Sequence, residues 1–124
     1  MSTNFTVSLS NIINELSLDI AFMPRDPEKI LLESKDVNRP GLELTGFLDH
    51  FDNKRIQIIG NIESSFLEGF SSKERYNTIK NFFIKKPPAI IIARGIEPFK
   101  EMLELARLYE IPILRTTEPT SSIE

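Results

Sequence analysis

Two arginines lie where an open α/β sheet usually binds its ligands. Arg94 and Gly95 follow one apolar run that is typical of a strand, and Arg115 and Thr116 follow the next. In open parallel sheets, ligands bind in the crevice outside the carboxyl ends of the strands, where helix N-termini attract anions. These four residues could therefore hold a phosphate or a nucleotide.

A structural role is the competing interpretation of both arginines. An arginine at a strand end often pairs with a carboxylate, and Glu97 and Glu118 lie close to them in the sequence. The chain also lacks the glycine-rich fingerprint of a dinucleotide site. We therefore favour ion pairing and keep ligand binding as the alternative.

Other residues that could do chemistry are few. His50 is the one histidine; as a general base it could serve a hydrolase or isomerase with Asp49 or Asp52, but no nucleophile or oxyanion motif accompanies it, so packing is favoured. Glu43, with the same two aspartates, offers the oxygens that Mg²⁺ and Ca²⁺ prefer, yet the spacing matches no EF-hand loop. We predict no catalytic residue and no metal site.

Nucleotide-dependent phosphoryl transfer is also not expected of this chain. It usually needs a backbone cradle for the phosphates and a lysine that neutralises their charge. No GxxxxGK[ST] pattern occurs in the sequence. We therefore predict no cofactor for the chain itself.

Composition bounds the class of protein. The 124 residues fit one globular domain, and 18 acidic against 15 basic residues give a net charge of −3, which does not suit a nucleic-acid surface. There are no cysteines, as expected of a reducing compartment, and no apolar run approaches the ~20 residues of a membrane span. The N-terminus lacks the features of a signal peptide. The expected location is the cytoplasm, without a membrane or nucleic-acid partner.

Apolar periodicity and breaker residues predict the elements that must position these side chains. Ser8 is a plausible N-cap, Ser71 and Glu74 have the spacing of a capping box, and Pro98 suits the first turn of a helix. Helices are predicted at 9–16, around 42–44, and at 64–70, 71–84 and 98–109; strands are predicted at 18–22, 30–32, 56–59, 89–93 and 111–114.

The uninterrupted apolar run at 89–93 is the best candidate for a central strand covered on both faces. With the following helix and strand it forms a strand, helix, strand crossover between parallel neighbours. The fold class expected from this order is an α/β layered domain with a mainly parallel or mixed sheet.

Two long segments resemble one known family. They are NRPGLELTGFLDHFDNKRIQIIG at 38–60 and ARGIEPFKEMLELARLYEIPILRTTEPTS at 93–121, and the match extends over nearly the whole chain. They are similar to the N-terminal domain of bacterial HPr kinase/phosphorylase, a family that phosphorylates a serine of the phosphocarrier HPr and removes the phosphate. The resemblance implies a role in carbon catabolite repression of the sugar phosphotransferase system, and a three-layer α/β/α fold similar to the N-terminal domains of Mur ligases.

The resemblance also implies a division of the full-length protein into domains with different roles. Residues 1–115 would form a non-catalytic accessory domain, with 116–124 leading to a C-terminal kinase domain that uses ATP and Mg²⁺. The implied partners are that kinase domain, HPr, and further copies of the chain in a homohexamer. The alternative is a free-standing sensor module for a nucleotide or phosphometabolite.

Six residues carry the most specific part of the resemblance, and for these we favour bracing or inter-domain contact over ligand contact. They are Asn38, Arg39, Pro40, Gly41, Asn53 and Arg55.

Overall fold

The computed structural model describes residues 7–34, 36–46 and 53–123. The helices are α1 (Leu9–Leu16), α2 (Gly41–Leu44), α3 (Asn61–Glu68), α4 (Ser72–Phe83) and α5 (Lys100–Tyr109). The strands are β1 (Val7–Ser8), β2 (Asp19–Phe22), β3 (Leu31–Leu32), β4 (Val37–Asn38), β5 (Ile56–Ile59), β6 (Ile90–Ile92) and β7 (Ile113–Arg115).

Five strands form one mixed sheet in the order β2-β7-β6-β5-β4. Strands β4, β5, β6 and β7 run parallel to one another, and β2 pairs antiparallel with β7. Strands β1 and β3 form a separate antiparallel pair. The predicted mixed α/β fold is confirmed, with the apolar run at 89–93 supplying the central strand.

The two faces of the sheet support two apolar cores. Ile90 and Ile92 pack with side chains of α4 and α5, whereas Ile91 packs with side chains of α1 and of the β1–β3 pair. Successive side chains of a strand point to opposite faces, so helices cover the sheet on both sides. This explains why the central strand is apolar at every position.

Local caps start the helices at the predicted places. Ser8 accepts a hydrogen bond from the Asn11 backbone N–H at 3.1 Å and begins α1. At α4, the Ser71 hydroxyl accepts from the Glu74 N–H at 3.2 Å and the Glu74 carboxylate accepts from the Ser71 N–H at 3.0 Å. Both arrangements satisfy N–H groups that have no partner within the helix.

Three details differ from the sequence-based expectations. Pro98 lies outside α5, because Phe99 is extended (φ −62°, ψ 145°) with its ring under the Arg75 guanidinium, 4.7 Å away. The helix near residue 64 begins earlier, at Asn61. Strands β1 and β4 were not predicted, since pairs of residues show no periodicity and are defined only by their partner strands.

Within the described ranges, no helix is long and apolar enough to cross a membrane.

Candidate functional site

Four parallel strands end at one edge of the sheet, and most of the candidate residues lie there. We call it the strand-end edge: the residues that follow β4, β5, β6 and β7, together with the last residue of β4 and of β7. The candidates at this edge are Asn38, Arg39, Pro40, Gly41, Arg94, Gly95, Arg115 and Thr116. The prediction that both arginines lie at the ends of neighbouring parallel strands is thus correct, although Arg115 is the last residue of β7 and does not follow it.

Residues 116–123, which we call the closing segment, lie across this edge. The backbone N–H of Arg94 donates to the Glu118 carbonyl and that of Gly95 to the Thr116 carbonyl, both at 2.9 Å. Thr120 is buried, and its methyl group lies against Gly60 at the end of β5. The backbone groups that would meet a ligand at β6 instead bind the chain itself.

The guanidinium of Arg115 holds the loop after β6. Its Nη2 donates to the Gly95 carbonyl at 3.0 Å and its Nε to the Ile96 carbonyl at 3.2 Å. Nη2 also lies 3.2 Å from the Glu97 carboxylate, whose side chain is exposed. The structure therefore contains the favoured ion pair with Glu97, whereas a ligand role for Arg115 stays a prediction.

Arg94 differs from Arg115 in its surroundings. It has a left-handed backbone (φ 59°), as does Gly95 (φ 68°), so the chain turns sharply after β6. The hydrogen bonds of the Arg94 and Gly95 N–H groups to the closing segment hold this turn. The Arg94 side chain is exposed and makes no ion pair with the described residues.

A small cleft of about 200 Å³ opens beside β7 at the strand-end edge. It is lined by Asp19, Gly95, Arg115, Thr116 and Thr117. A guanidinium and two threonine hydroxyls can bind an anion of phosphate size, but the Asp19 carboxylate opposes a negative charge. Three of the four ligand candidates therefore lie together; Arg94 does not line the cleft.

Arg39 and Glu63 form the most completely bonded pair at the strand-end edge. Arg39 donates through Nε and Nη2 to the two carboxylate oxygens at 3.1 and 3.0 Å, and the Gly60 N–H donates to the same carboxylate at 2.8 Å. Burial raises the pKa of Glu63, but the hydrogen bonds from Arg39 and Gly60 outweigh it and hold the pKa below its usual value. Glu63 thus stays ionised at neutral pH.

This carboxylate occupies the place where an external anion would bind. The N-terminus of α3 carries free N–H groups and a positive dipole end, which attract negative charge. Glu63, at the third position of α3, supplies that charge from within the helix. Arg39 therefore braces the loop before α2 against α3, which agrees with the favoured interpretation of this arginine.

The remaining family-motif residues split between the two edges. Asn38 donates through Nδ2 to the Gln57 side chain at 2.7 Å, within the sheet. Asn53 lies ahead of β5, at the opposite edge, and donates through Nδ2 to the Lys85 carbonyl at 3.0 Å. Arg55, directly before β5, lies at that edge too. The structure therefore does not gather the six motif residues into one site.

Other candidates fall outside the site. Asp49, His50 and Asp52 lie outside the described residues. Glu43 lies in α2, and the described ranges contain no group of three or more His, Cys, Asp or Glu that could hold a metal ion.

Sequence reasoning missed two residues of the strand-end edge. The spacing of Gly60 and Glu63 matches that of Ser71 and Glu74, so Glu63 could have been found as a helix-capping carboxylate. Nothing in the sequence indicates that Thr120 packs on Gly60.

Comparison with known proteins agrees with this architecture. Residues 7–124 match the family described as HPr Serine kinase N terminus. The HPr kinase/phosphorylase of Clostridium acetobutylicum is 38% identical over 115 residues, which are 93% of this chain and 37% of that protein. That of Lachnoclostridium phytofermentans is 36% identical over 118 residues, 95% of this chain and 38% of that protein. The chain thus spans well under half the length of these curated relatives.

A solved structure shares the fold. It is the crystal structure of the CBS and DRTGG domains of the regulatory region of Clostridium perfringens pyrophosphatase, complexed with its activator diadenosine tetraphosphate. It aligns with 94% of this chain and 44% of that chain, with a TM-score of 0.65 and 20% identity. At this identity the likeness concerns the fold alone. The family match, which covers nearly the whole chain, shows that this chain belongs to the HPr serine kinase N-terminus family.

Proposed function

We propose that this chain is the non-catalytic N-terminal domain of a bifunctional HPr serine kinase/phosphorylase and contributes to its assembly or regulation. Two observations support the proposal. The chain belongs to the family, and it spans 37–38% of the length of two relatives that are named HPr kinase/phosphorylase. The physiological process would be carbon catabolite repression of the sugar phosphotransferase system.

The observation that carries the non-catalytic role is the closing segment. Phosphoryl transfer needs an open site with a cradle of backbone N–H groups for the phosphates. Here the Arg94 and Gly95 N–H groups bind carbonyls of the closing segment, and Glu63 occupies the N-terminus of α3. The edge that would hold a nucleotide is used to fasten the chain to its own sheet.

The remaining roles in this proposal belong to the longer protein. ATP and Mg²⁺ would bind a C-terminal kinase domain, the substrate would be the serine of HPr, and assembly would be a homohexamer in the cytoplasm. The boundary after residue 115 and the similarity to the N-terminal domains of Mur ligases stay predictions.

A phosphorylation assay tests the catalytic half of the proposal. The isolated chain is incubated with ATP, Mg²⁺ and HPr, and phosphoserine on HPr is measured by intact mass. The full-length C. acetobutylicum relative serves as the positive control. We expect phosphorylation of HPr in the control only, and transfer by the isolated chain would overturn the proposal.

A second assay tests the assembly half. Removing the region that matches this chain from the C. acetobutylicum relative should change the number of subunits, calculated from the sedimentation-derived mass, or the regulation of its activity. An unchanged number of subunits together with unchanged regulation of the kinase and phosphorylase activities would contradict an assembly or regulatory role.

A second candidate function is a nucleotide- or phosphometabolite-binding sensor. The cleft of about 200 Å³ beside β7, lined by Gly95, Arg115 and Thr116 among others, favours it. The fold neighbour from C. perfringens is complexed with diadenosine tetraphosphate, so that compound belongs in the ligand panel with ATP and AMP.

Calorimetric titration distinguishes the sensor from the accessory domain. Thr117→Val removes a hydroxyl of the cleft and leaves the Arg115 contacts in place; Arg107→Ala, on the exposed side of α5, is the control. Binding that weakens in the Thr117 variant alone would support the sensor. If no compound in the panel binds, the sensor function is contradicted.

A further inference from the structure

A larger cleft opens at the opposite edge of the sheet, where β6 and β7 begin. It has a volume of about 230 Å³ and lies between three connections: the one from β2 to β3, the one from α4 to β6, and the one from α5 to β7. We call it the basal cleft; it is lined by Arg25 and by residues 29–31, 86–88 and 109–111. None of these residues belongs to the strand-end edge.

The basal cleft is positively charged in an acidic chain. Arg25, Lys29 and Lys86 line it against a single carboxylate, that of Glu110. The whole chain carries a net charge of −3. Cations gathered around one concavity raise the local concentration of anions.

One of the three cations is held in a fixed position. The Lys86 ammonium donates to the Tyr109 carbonyl at 2.8 Å and lies 5.8 Å from the centre of the Tyr109 ring. An ammonium has three N–H donors, so two remain for another acceptor. The backbone of Lys86 is left-handed (φ 58°), a conformation that glycine usually adopts at the end of a helix.

The helix ends explain only part of this charge. Helices α4 and α5 both end beside the basal cleft, and the negative end of a helix dipole attracts cations. The Lys86 ammonium is attracted to the negative end of α5, because it donates a hydrogen bond to the carbonyl of Tyr109, the last residue of that helix. Arg25 and Lys29 lie on neither helix.

The other two cations have no structural partner in the part of the chain that the structure describes. The side chains of Arg25 and Lys29 are exposed, and they make no hydrogen bond or ion pair with described residues. Like charges placed around one concavity repel each other unless an anion joins them.

Three apolar residues that line the basal cleft are buried: Ile30, Pro87 and Ile111. The rings of Pro87 and Pro88, which also line it, fix the backbone φ at both positions. The concavity also suits a compact ligand better than an extended chain.

We infer that the basal cleft binds a compact multivalent oxyanion, held by Arg25, Lys29 and Lys86 together. This site is separate from the strand-end cleft and does not depend on the proposed function. Binding would be electrostatic and therefore weakened by salt.

NMR titration of the ¹⁵N-labelled chain with inorganic pyrophosphate at low ionic strength tests the inference. The variant Arg25→Gln/Lys29→Gln removes the two cations that have no partner among the described residues, and it leaves α4 and α5 unchanged. Lys29 is the last residue of a short 3₁₀ turn at Pro27–Lys29. The control Lys73→Gln/Lys100→Gln removes the same charge from exposed positions at the starts of α4 and α5.

The expected result is saturable shifts of the backbone amides of Lys86 and of residues 109–111, with affinity reduced at least about tenfold in the first variant and less than about threefold in the control. Three results would overturn the inference: no saturable shift in the wild-type chain, equal weakening in both variants, or shifts confined to the strand-end edge.

Discussion

Arg39 and Glu63, which are 24 positions apart, are joined by two parallel hydrogen bonds of 3.0 and 3.1 Å. The Glu63 side chain is 5% exposed and that of Arg39 is 34% exposed. The pair ties the loop after β4 to the start of α3, and the same carboxylate binds the Gly60 N–H. One ion pair thus fixes the ends of two neighbouring parallel strands.

Breaking this pair should cost more than breaking an exposed one. Arg39→Met leaves the Glu63 carboxylate buried without its guanidinium, and we expect the free energy of unfolding to fall by about 2–3 kcal/mol, less than for a fully buried pair. The measurement is urea denaturation. Lys54→Met, which breaks an exposed pair with Glu33, is the control and should cost at most about 1 kcal/mol. Equal losses in the two variants would contradict the bracing role.

Glu63 should also make stability depend on pH in the acidic range. Burial raises the pKa of its carboxyl, but the bonds from Arg39 and Gly60 prevail and lower the pKa below the ordinary 4.5. The unfolded chain therefore binds more protons there, so this stabilisation is present above about pH 4.5 and is lost as pH falls through the lower folded pKa. Glu63→Gln should flatten that decline in denaturation curves measured at successive pH values. An unchanged pH profile would contradict the assignment.

Gly60 should tolerate no side chain, because Thr120 packs directly on it. A Cβ atom there would lie 2.7 Å from the Thr120 methyl group, so Gly60→Ala should cost about 1–3 kcal/mol. It should also speed hydrogen exchange of the Arg94 and Gly95 amides, which bond to the closing segment.

Two further variants isolate this contact. Gly41→Ala is the control, because nothing lies within 4 Å of its Cβ position. Adding Thr120→Ser to Gly60→Ala removes the obstructing methyl group and should recover part of the loss. If adding Thr120→Ser restores no stability, the loss in Gly60→Ala does not come from the contact with the Thr120 methyl group.

Arg75 should be irreplaceable by lysine. Its guanidinium donates to the carbonyls of Leu67, Glu68 and Phe70 at 2.8, 3.2 and 2.8 Å, and pairs with the buried Glu101 at 3.3 Å. A single ammonium cannot make these bonds together, so Arg75→Lys should cost about 2–4 kcal/mol in urea denaturation.

The matched control for this change is Arg107→Lys, because Arg107 is exposed on α5. We expect a change within about 0.5 kcal/mol there. A similarly small change for Arg75→Lys would mean that the guanidinium network does not stabilise the fold.

Local signals were enough to predict much of the fold. The apolar spacing and serine caps of α1 and α4 act within a few residues of sequence, and the run at 89–93 marks a strand covered on both faces. Placing Arg94 and Arg115 at the ends of neighbouring parallel strands followed from the strand, helix, strand order alone.

Contacts between distant residues could not be predicted in the same way. The Arg39–Glu63 pair, the Arg75–Glu101 pair and the packing of Thr120 on Gly60 depend on which elements become neighbours. The sequence therefore indicated where a ligand site would lie, but not that the closing segment covers that edge.

The most direct test of the central claim is the mass of the native polypeptide in its source cell, detected with an antibody raised against this 14.2 kDa chain. If the chain is the accessory domain of a kinase/phosphorylase, the band will lie far above 14.2 kDa, and the purified polypeptide will phosphorylate HPr with ATP and Mg²⁺. A band near 14.2 kDa would contradict the account and indicate a self-contained module.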